Sequence, residues 1–337
     1  MTLTLAPKMA KGKLGIVFLK RFWSNIMLNR NGIRPKEITS EDKLLINPLL
    51  NVLGVGLEPT MKYLYGQTPS FEEFENWINE NGVLSEIMIQ TFNALMGENN
   101  GHTPYLKKET PVLNAEEVKH FETEGYVILR EAISLEDCLA TRKLIYDFLG
   151  IDENRPDSWY KDHPAKQGIM IQLFQHPQLQ QNRLSSKIRS AYQQLWGRTD
   201  LMVSMDRVSL NPPETQQYQF PGPNLHWDVS LKQPIPFGLQ GLLYLTDTAA
   251  NQGAFTLVPS FQHRIPEWLA ELPAKANPRE QDLLSLGAKP IVANAGDFII
   301  WHQALPHGSA PNTAKSPRMV QYINYQPLLL EMHEEWI

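Results

Sequence analysis

Six short β-prone runs follow one another between residues 201 and 328: "LMVSMDRVSL", "NLHWDVSL", "GLQGLLYLTD", "AFTLVPS", "KPIVANAGDFIIWH" and "RMVQYINYQPL". Turns rich in Gly, Pro and Asn separate them. Strands at this density pair antiparallel, and the architectures that bury them are a double-sheet jelly roll or a barrel. Residues 264–288 interrupt the runs as a helical or looped insertion.

The chain before residue 200 has a different texture. In "FEEFENWINENG", Phe71, Phe74, Trp77 and Ile78 recur at helical spacing, with Ser70 as cap and Gly82 just past the end. Short apolar helices broken by Pro48, Gly54, Gly56 and Pro59 precede it, and the polar, turn-rich stretch 97–111 reads as a linker. From residue 113 the pattern is helix, the short strand "YVILR", then helix. Asn114 caps the first of these helices, with acidic residues in its opening turn. A further helix covers 184–196 and stops at Gly197. The expected class is α+β: a double-stranded β-helix (jelly roll) core with flanking helices and a helical N-terminal extension. The expected organisation is 1–110, 111–330 and a solvated tail over 331–337.

Composition narrows the partners. With 42% hydrophobic and 20% charged residues the chain is a globular folder, and a net charge of −5 argues against nucleic acid. Cys138 is the one cysteine, which excludes a disulfide framework and any multi-cysteine metal site and suits a reducing, cytoplasmic setting. No stretch approaches a membrane span. The run "LGIVFL" near the start is too short, and lacks the following cleavage site, for a signal peptide.

In "NLHWDVSL" an extended backbone points His226 and Asp228 to one face and Trp227 to the other, into packing. A His and a carboxylate on an inward face are two ligands for a metal, and "IIWHQALPHGSAPN" offers a third in His302 or His307. Two imidazoles and one carboxylate on one face of an octahedron, with three positions open, is the arrangement of non-haem Fe(II) oxygenases. Those positions take a bidentate co-substrate and then O2. Eleven residues after His307 stands Arg318, whose guanidinium can hold the far carboxylate of 2-oxoglutarate by two parallel hydrogen bonds. Ser309 could add a hydroxyl.

The pattern "HWD … GAFTLVPSFQH … GDFIIWHQALPHGSAPNTAKSPR", with "FETEGYVILREAIS" upstream, resembles the phytanoyl-CoA dioxygenase family of Fe(II)/2-oxoglutarate oxygenases. The resemblance spans roughly 113–328 and leaves the first hundred residues unaccounted for. It implies iron ligation by His226, Asp228 and His307, and 2-oxoglutarate binding by Arg318 and Ser309. His302 then falls to the pocket wall or behind the ligands. Alignment through "NPP" turns Arg207 and Ser209 into the pocket and Asp206 to the opposite face; the plainer alternative is a solvent-facing Arg207 paired with an acid. Where many members carry Gly-Ser-His, this chain has "PSFQH", with His263 displaced. An intact Asp228 disfavours halogenation, for which relatives replace the carboxylate by Ala or Gly.

The implied reaction is hydroxylation of an unactivated C–H bond of a small-molecule metabolite or natural product, releasing succinate and CO2. An acyl-CoA or lipid hydroxylase is the alternative, weakened because "LKQPIPFG" offers only Lys232 to phosphates. A non-catalytic jelly roll that binds a ligand is the other. The helical N-terminal region would wall the pocket or form a homodimer face; neither nucleic acid nor membrane is expected as a partner.

Overall fold

The computed structural model describes residues 3–98, 107–222, 224–333 and 335–337; residues 99–106 of the expected linker, His102 among them, lie outside these. Along the chain come helices α1 (Leu19–Arg30), α2 (Ser40–Leu44), α3 (Ile46–Leu53), α4 (Leu57–Gln67), α5 (Phe71–Asn81) and α6 (Glu86–Leu95). Next are α7 (Ala115–Glu124), β1 (Tyr126–Leu129), α8 (Leu135–Leu149), β2 (Lys166–Gln167), β3 (Met170–Ile171), α9 (Pro177–Arg183) and α10 (Ser186–Trp196). The strand-rich part holds β4 (Leu201–Val203), β5 (Val208–Asn211), β6 (Leu239–Tyr244), β7 (Phe255–Leu257), α11 (Ile265–Glu271) and β8 (Lys289–Pro290). It ends with β9 (Phe298–His302), β10 (His307–Ser309), β11 (Arg318–Tyr322) and β12 (Tyr325–Pro327). Among the described residues no single helix is long and apolar enough to cross a membrane.

The chain forms two compact units. The first takes Met1–Lys108 together with Arg198–Met205 and Gln326–Leu330. Two of its helices start where side chains cap them: Ser70 and Glu73 form a reciprocal capping box on α5, as Thr39 and Asp42 do on α2. Phe22, Leu49, Leu53, Leu64, Phe74 and Phe92 are buried within it. The run "LMVSMDRVSL", expected as one strand, is broken at 204–207. Its first half is β4, which pairs with β12, and Met205 N–H donates to Asn51 Oδ1 in the helical unit.

The second unit, Glu109–Gly197, Asp206–Tyr325 and Glu331–Ile337, contains two antiparallel sheets. The larger has the order β1-β9-β6-β11-β5-β3-β2, the smaller β10-β7-β8. Val320 lies opposite both Ser209 and Tyr244, and Trp301 opposite Gln240. Directly opposed residues share a face and alternate residues return to it. One face of the large sheet therefore carries Ser209, Gln240, Leu242, Tyr244, Ile299, Trp301, Arg318, Val320 and Tyr322. It packs on Phe255 and Leu257 of the small sheet in one hydrophobic core. Tyr244 pins the two layers: its phenol donates to Ile291 O and accepts from Phe255 N–H, and burial pushes the phenol up to about 12. Cys138 is buried on α8 as expected, its thiol pushed up to about 12 by burial, an unreactive packing group.

One expectation is corrected here. The segment 224–231 is not a strand; a single bridge, His226 to His307, is its ladder contact among the described residues. The described residues of the tail 331–337 are mostly exposed, and several make polar or ring contacts. His333 bonds Pro234 O, Lys232 pairs with Glu335, Trp336 stacks on Arg279, and Ile337 N–H donates to Ser230 Oγ.

Candidate metal centre and co-substrate pocket

The bridge between His226 and His307 is a mutual pair of backbone hydrogen bonds, each 2.9 Å, and it draws the two imidazoles together. Such closeness requires a glycine next to His307: a Cβ on Gly308 would lie 2.8 Å from Asn224 O. Each ring then turns by a local rule. His226 Nδ1 lies 2.9 Å from Asn224 O and His307 Nδ1 3.0 Å from Leu305 O, in each case the carbonyl two residues earlier. A carbonyl can only accept, so Nδ1 carries the proton and Nε2 is left with its lone pair free. Both Nε2 atoms face Asp228, at 3.5 Å from Oδ1 for His226 and 3.2 Å from Oδ2 for His307. One ligand atom from each of the three residues lies within 4.8 Å of the others.

The carboxylate is aimed by a chain of fixed polarity. Trp301 Nε1 donates to Gln240 Oε1 at 3.0 Å, and Gln240 Nε2 donates to Asp228 Oδ2 at 2.7 Å. An indole N–H only donates, so the amide of Gln240 has one orientation available. Burial alone would raise the Asp228 carboxyl; with no ion between them, the hydrogen bonds that His226 and His307 give it through an Nε2 that has taken up a second proton outweigh burial and hold the group far below the usual carboxylate range. The same contact raises His226 above its ordinary value, against the lowering effect of its burial. His307 is buried, whereas the side chain of Asp228 is half exposed, so the cluster opens on one side.

That side is a cavity of about 450 Å³. Met170, Phe255, Trp301 and Tyr322 form its apolar wall, and Asp206, Arg207 and Asn324 also line it. Behind Ser309 stands Arg318, 0% exposed. Its Nη2 donates to Ser309 Oγ at 2.8 Å, while Nε and Nη1 have no partner. Ser209 Oγ, on the same face of the sheet, is likewise buried without one. Buried donors without acceptors are costly, and a whole cation so placed more so. The arrangement is that of a receptor for an anion. A carboxylate fits it, and two imidazole nitrogens beside a carboxylate fit a borderline divalent ion.

The structure thus brings His226, Asp228 and His307 together, places Arg318 with Ser309, and puts Arg207 on the cavity wall and Ser209 in the buried layer. Asp206 departs from the expectation of opposite faces. It lies in the break between β4 and β5, where strand alternation does not apply, and lines the same cavity as Arg207. Gln240, Trp301, Tyr322 and Asn324 were not singled out from the sequence. A lone Gln in the apolar run "GLQGLLYL" was the available signal.

His302 does not join the centre. Trp301 faces inward, so its neighbour faces outward, into a separate cavity with Phe121, Ile235, Phe237 and His263. Ala304 N–H donates to its Nδ1, Phe237 meets its ring edge-on at 5.3 Å, and burial depresses it from 6.5 to about 4. The unfolded chain therefore takes up this proton first as pH falls. Stability on this account is full above pH 6.5 and drops by about 3 kcal/mol on descending to pH 4. Urea titrations across that range should show the loss, and His302→Phe should flatten it; an unchanged slope in the variant refutes the assignment.

Comparison with known proteins agrees on one family. The family model for phytanoyl-CoA dioxygenase (PhyH) matches residues 121–320. A Dictyostelium discoideum protein provisionally named as a phytanoyl-CoA dioxygenase is 25% identical over 258 residues, 61% of this chain and 74% of that one. Similar solved structures include HygX from Streptomyces hygroscopicus with nickel and 2-oxoglutarate bound (15% identity, 64% and 87% of the two chains, TM-score 0.47). Another is the α-ketoglutarate-dependent epimerase SnoN from nogalamycin biosynthesis (15%, 63% and 82%, TM-score 0.47). These scores are too low to carry residues across. With its family match spanning more than half of the sequence, the chain belongs to the phytanoyl-CoA dioxygenase family.

Proposed function

We propose that this protein is an Fe(II)/2-oxoglutarate-dependent oxygenase with a jelly-roll core, which hydroxylates a C–H bond of a small polar molecule. The observation that carries the reading is Arg318: a fully buried guanidinium with two unpartnered nitrogens beside the His–Asp–His cluster. His226, Asp228 and His307 would hold the ion, and Arg318 with Ser309 the far carboxylate of 2-oxoglutarate. When bound, the pair supplies the oxidative decarboxylation of 2-oxoglutarate by O2 that leaves succinate, CO2 and a hydroxylated substrate.

The protein's part is placement. The carbonyls of Asn224 and Leu305 hold the Nδ1 protons and turn each Nε2 towards the ion, and the Trp301–Gln240 chain holds the carboxylate towards them. Phe255, Trp301 and Tyr322 give the cavity an apolar side. Asp206 and Arg207 carry opposite charges into it with their charged groups 3.6 Å apart, and Asn324 Nδ2 lies 3.4 Å from Asp206. Such a wall suits a compact substrate with both hydrogen-bond donors and acceptors. A CoA thioester is less well served, since Arg207 is the one Lys or Arg among the residues lining the cavity.

The test is direct. Anaerobic protein given Fe(II) should develop a weak visible charge-transfer band on adding 2-oxoglutarate, and small polar metabolites should be screened for stimulated succinate release. Absence of both the band and any 2-oxoglutarate-dependent succinate would sink the reading.

A further inference from the structure

Two of the three ligating side chains sit on a segment, 224–231, that no sheet holds. Beyond the bridge at His226, something else must set the direction of Asp228. Arg279 supplies it from the 3-10 turn Pro278–Glu280 in the insertion before β8. Its Nη1 donates to Trp227 O at 2.8 Å and its Nη2 to Val229 O at 2.5 Å, the carbonyls of the residues that flank Asp228. A planar guanidinium spanning those two carbonyls holds the peptide that enters Asp228 and the one that leaves Val229, and so confines the Asp228 backbone between two fixed points. The guanidinium is itself fixed. Ile337 O accepts from Nε at 3.3 Å and from Nη2 at 2.9 Å, and the Trp336 ring lies 4.6 Å away. Leu231 N–H donates to the same Ile337 O, closing the segment onto 336–337.

We propose that Arg279 is a positioning residue for the metal centre, a clamp on the backbone of Asp228 that residues 336–337 hold in place. The proposal rests on the metal reading above. Its sign separates it from plain electrostatics. A cation behind the site repels a divalent ion, so if charge were its whole effect, neutralising Arg279 would tighten metal binding. If the clamp matters, neutralising it loosens binding.

The experiment titrates metal-free protein with Co(II), following its visible d–d absorption, for the wild type, Arg279→Met, Arg279→Lys and Trp336→Ala. Loss of a group that orients a ligand costs roughly 10–100-fold in metal affinity. Arg279→Met should fall in that range with an altered band shape. Arg279→Lys, able to reach one carbonyl but not both, should lie between it and the wild type. Trp336→Ala, which keeps the guanidinium but not its cover, should weaken binding several-fold and carries the test should Arg279→Met not fold. Binding by Arg279→Met as tight as the wild type or tighter, or wild-type affinity in both other variants, overturns the clamp. A wild type that gives no Co(II) spectrum overturns the metal reading itself.

Discussion

Arg318→Met makes the protein on its own more stable and at the same time abolishes its response to 2-oxoglutarate. The two effects have one cause. Arg318 is fully buried, Nη2 donates to Ser309 Oγ, the Tyr322 phenol interacts with the guanidinium, and Nε and Nη1 have no hydrogen-bond partner. Replacing buried ionic groups by apolar ones of similar volume is neutral or stabilising by about 1–4 kcal/mol. Chemical denaturation of the metal-free variant should show a gain within that range. Against the ligand the sign reverses. Truncating one partner of a buried charge pair costs about 2–5 kcal/mol, which is roughly 30- to several-thousand-fold in affinity. With divalent metal present, 2-oxoglutarate should raise the wild-type melting temperature and leave the variant's unmoved. A variant that is destabilised yet still responds would mean that this guanidinium is a structural group and not a receptor.

Asp228→Ala should remove metal binding while leaving the fold intact. The side chain is half exposed, and the bridge that brings His226 to His307 is made by main-chain atoms, so no packing depends on the carboxylate. Losing a ligand must cost more than losing a group that merely orients one, hence more than roughly 100-fold. Isothermal titration with Co(II) or Mn(II) beside a denaturation curve separates the two quantities. Undiminished metal affinity would show that the ion, if bound at all, sits elsewhere. The companion Gln240→Leu keeps all three ligands and should lie between the variant and the wild type.

Much of this centre could be read from spacing because its parts lie on short segments with strict alternation. His307, Ser309 and Arg318 fall on β10 and β11, where period two decides what faces inward. The misreadings occur where alternation lapses. Residues 204–207 leave the sheet between β4 and β5, so Asp206 and Arg207 share a cavity that strand phase would have denied one of them. The His226–Asp228 segment reads as a strand by composition, yet a guanidinium from the insertion and the residues 336–337 replace the missing ladder. Such long-range main-chain contacts leave no periodic trace in sequence. The same holds for the pairing of β4 with β12, more than a hundred residues apart, which gives Arg198–Met205 to the helical unit. Gln240 was legible in principle, being polar in an apolar run, but its meaning depends on Trp301 lying directly across the sheet.

Each imidazole of the centre takes its aim from a carbonyl two residues back in its own chain segment. The instruction for where a ring points is thus written within three consecutive residues and travels with them. Insertions or exchanges elsewhere in the scaffold can alter how far apart the two rings stand, but not which nitrogen each presents. A lineage could therefore remodel the walls around the substrate freely while the hardware for gripping an ion stays ready at both ends.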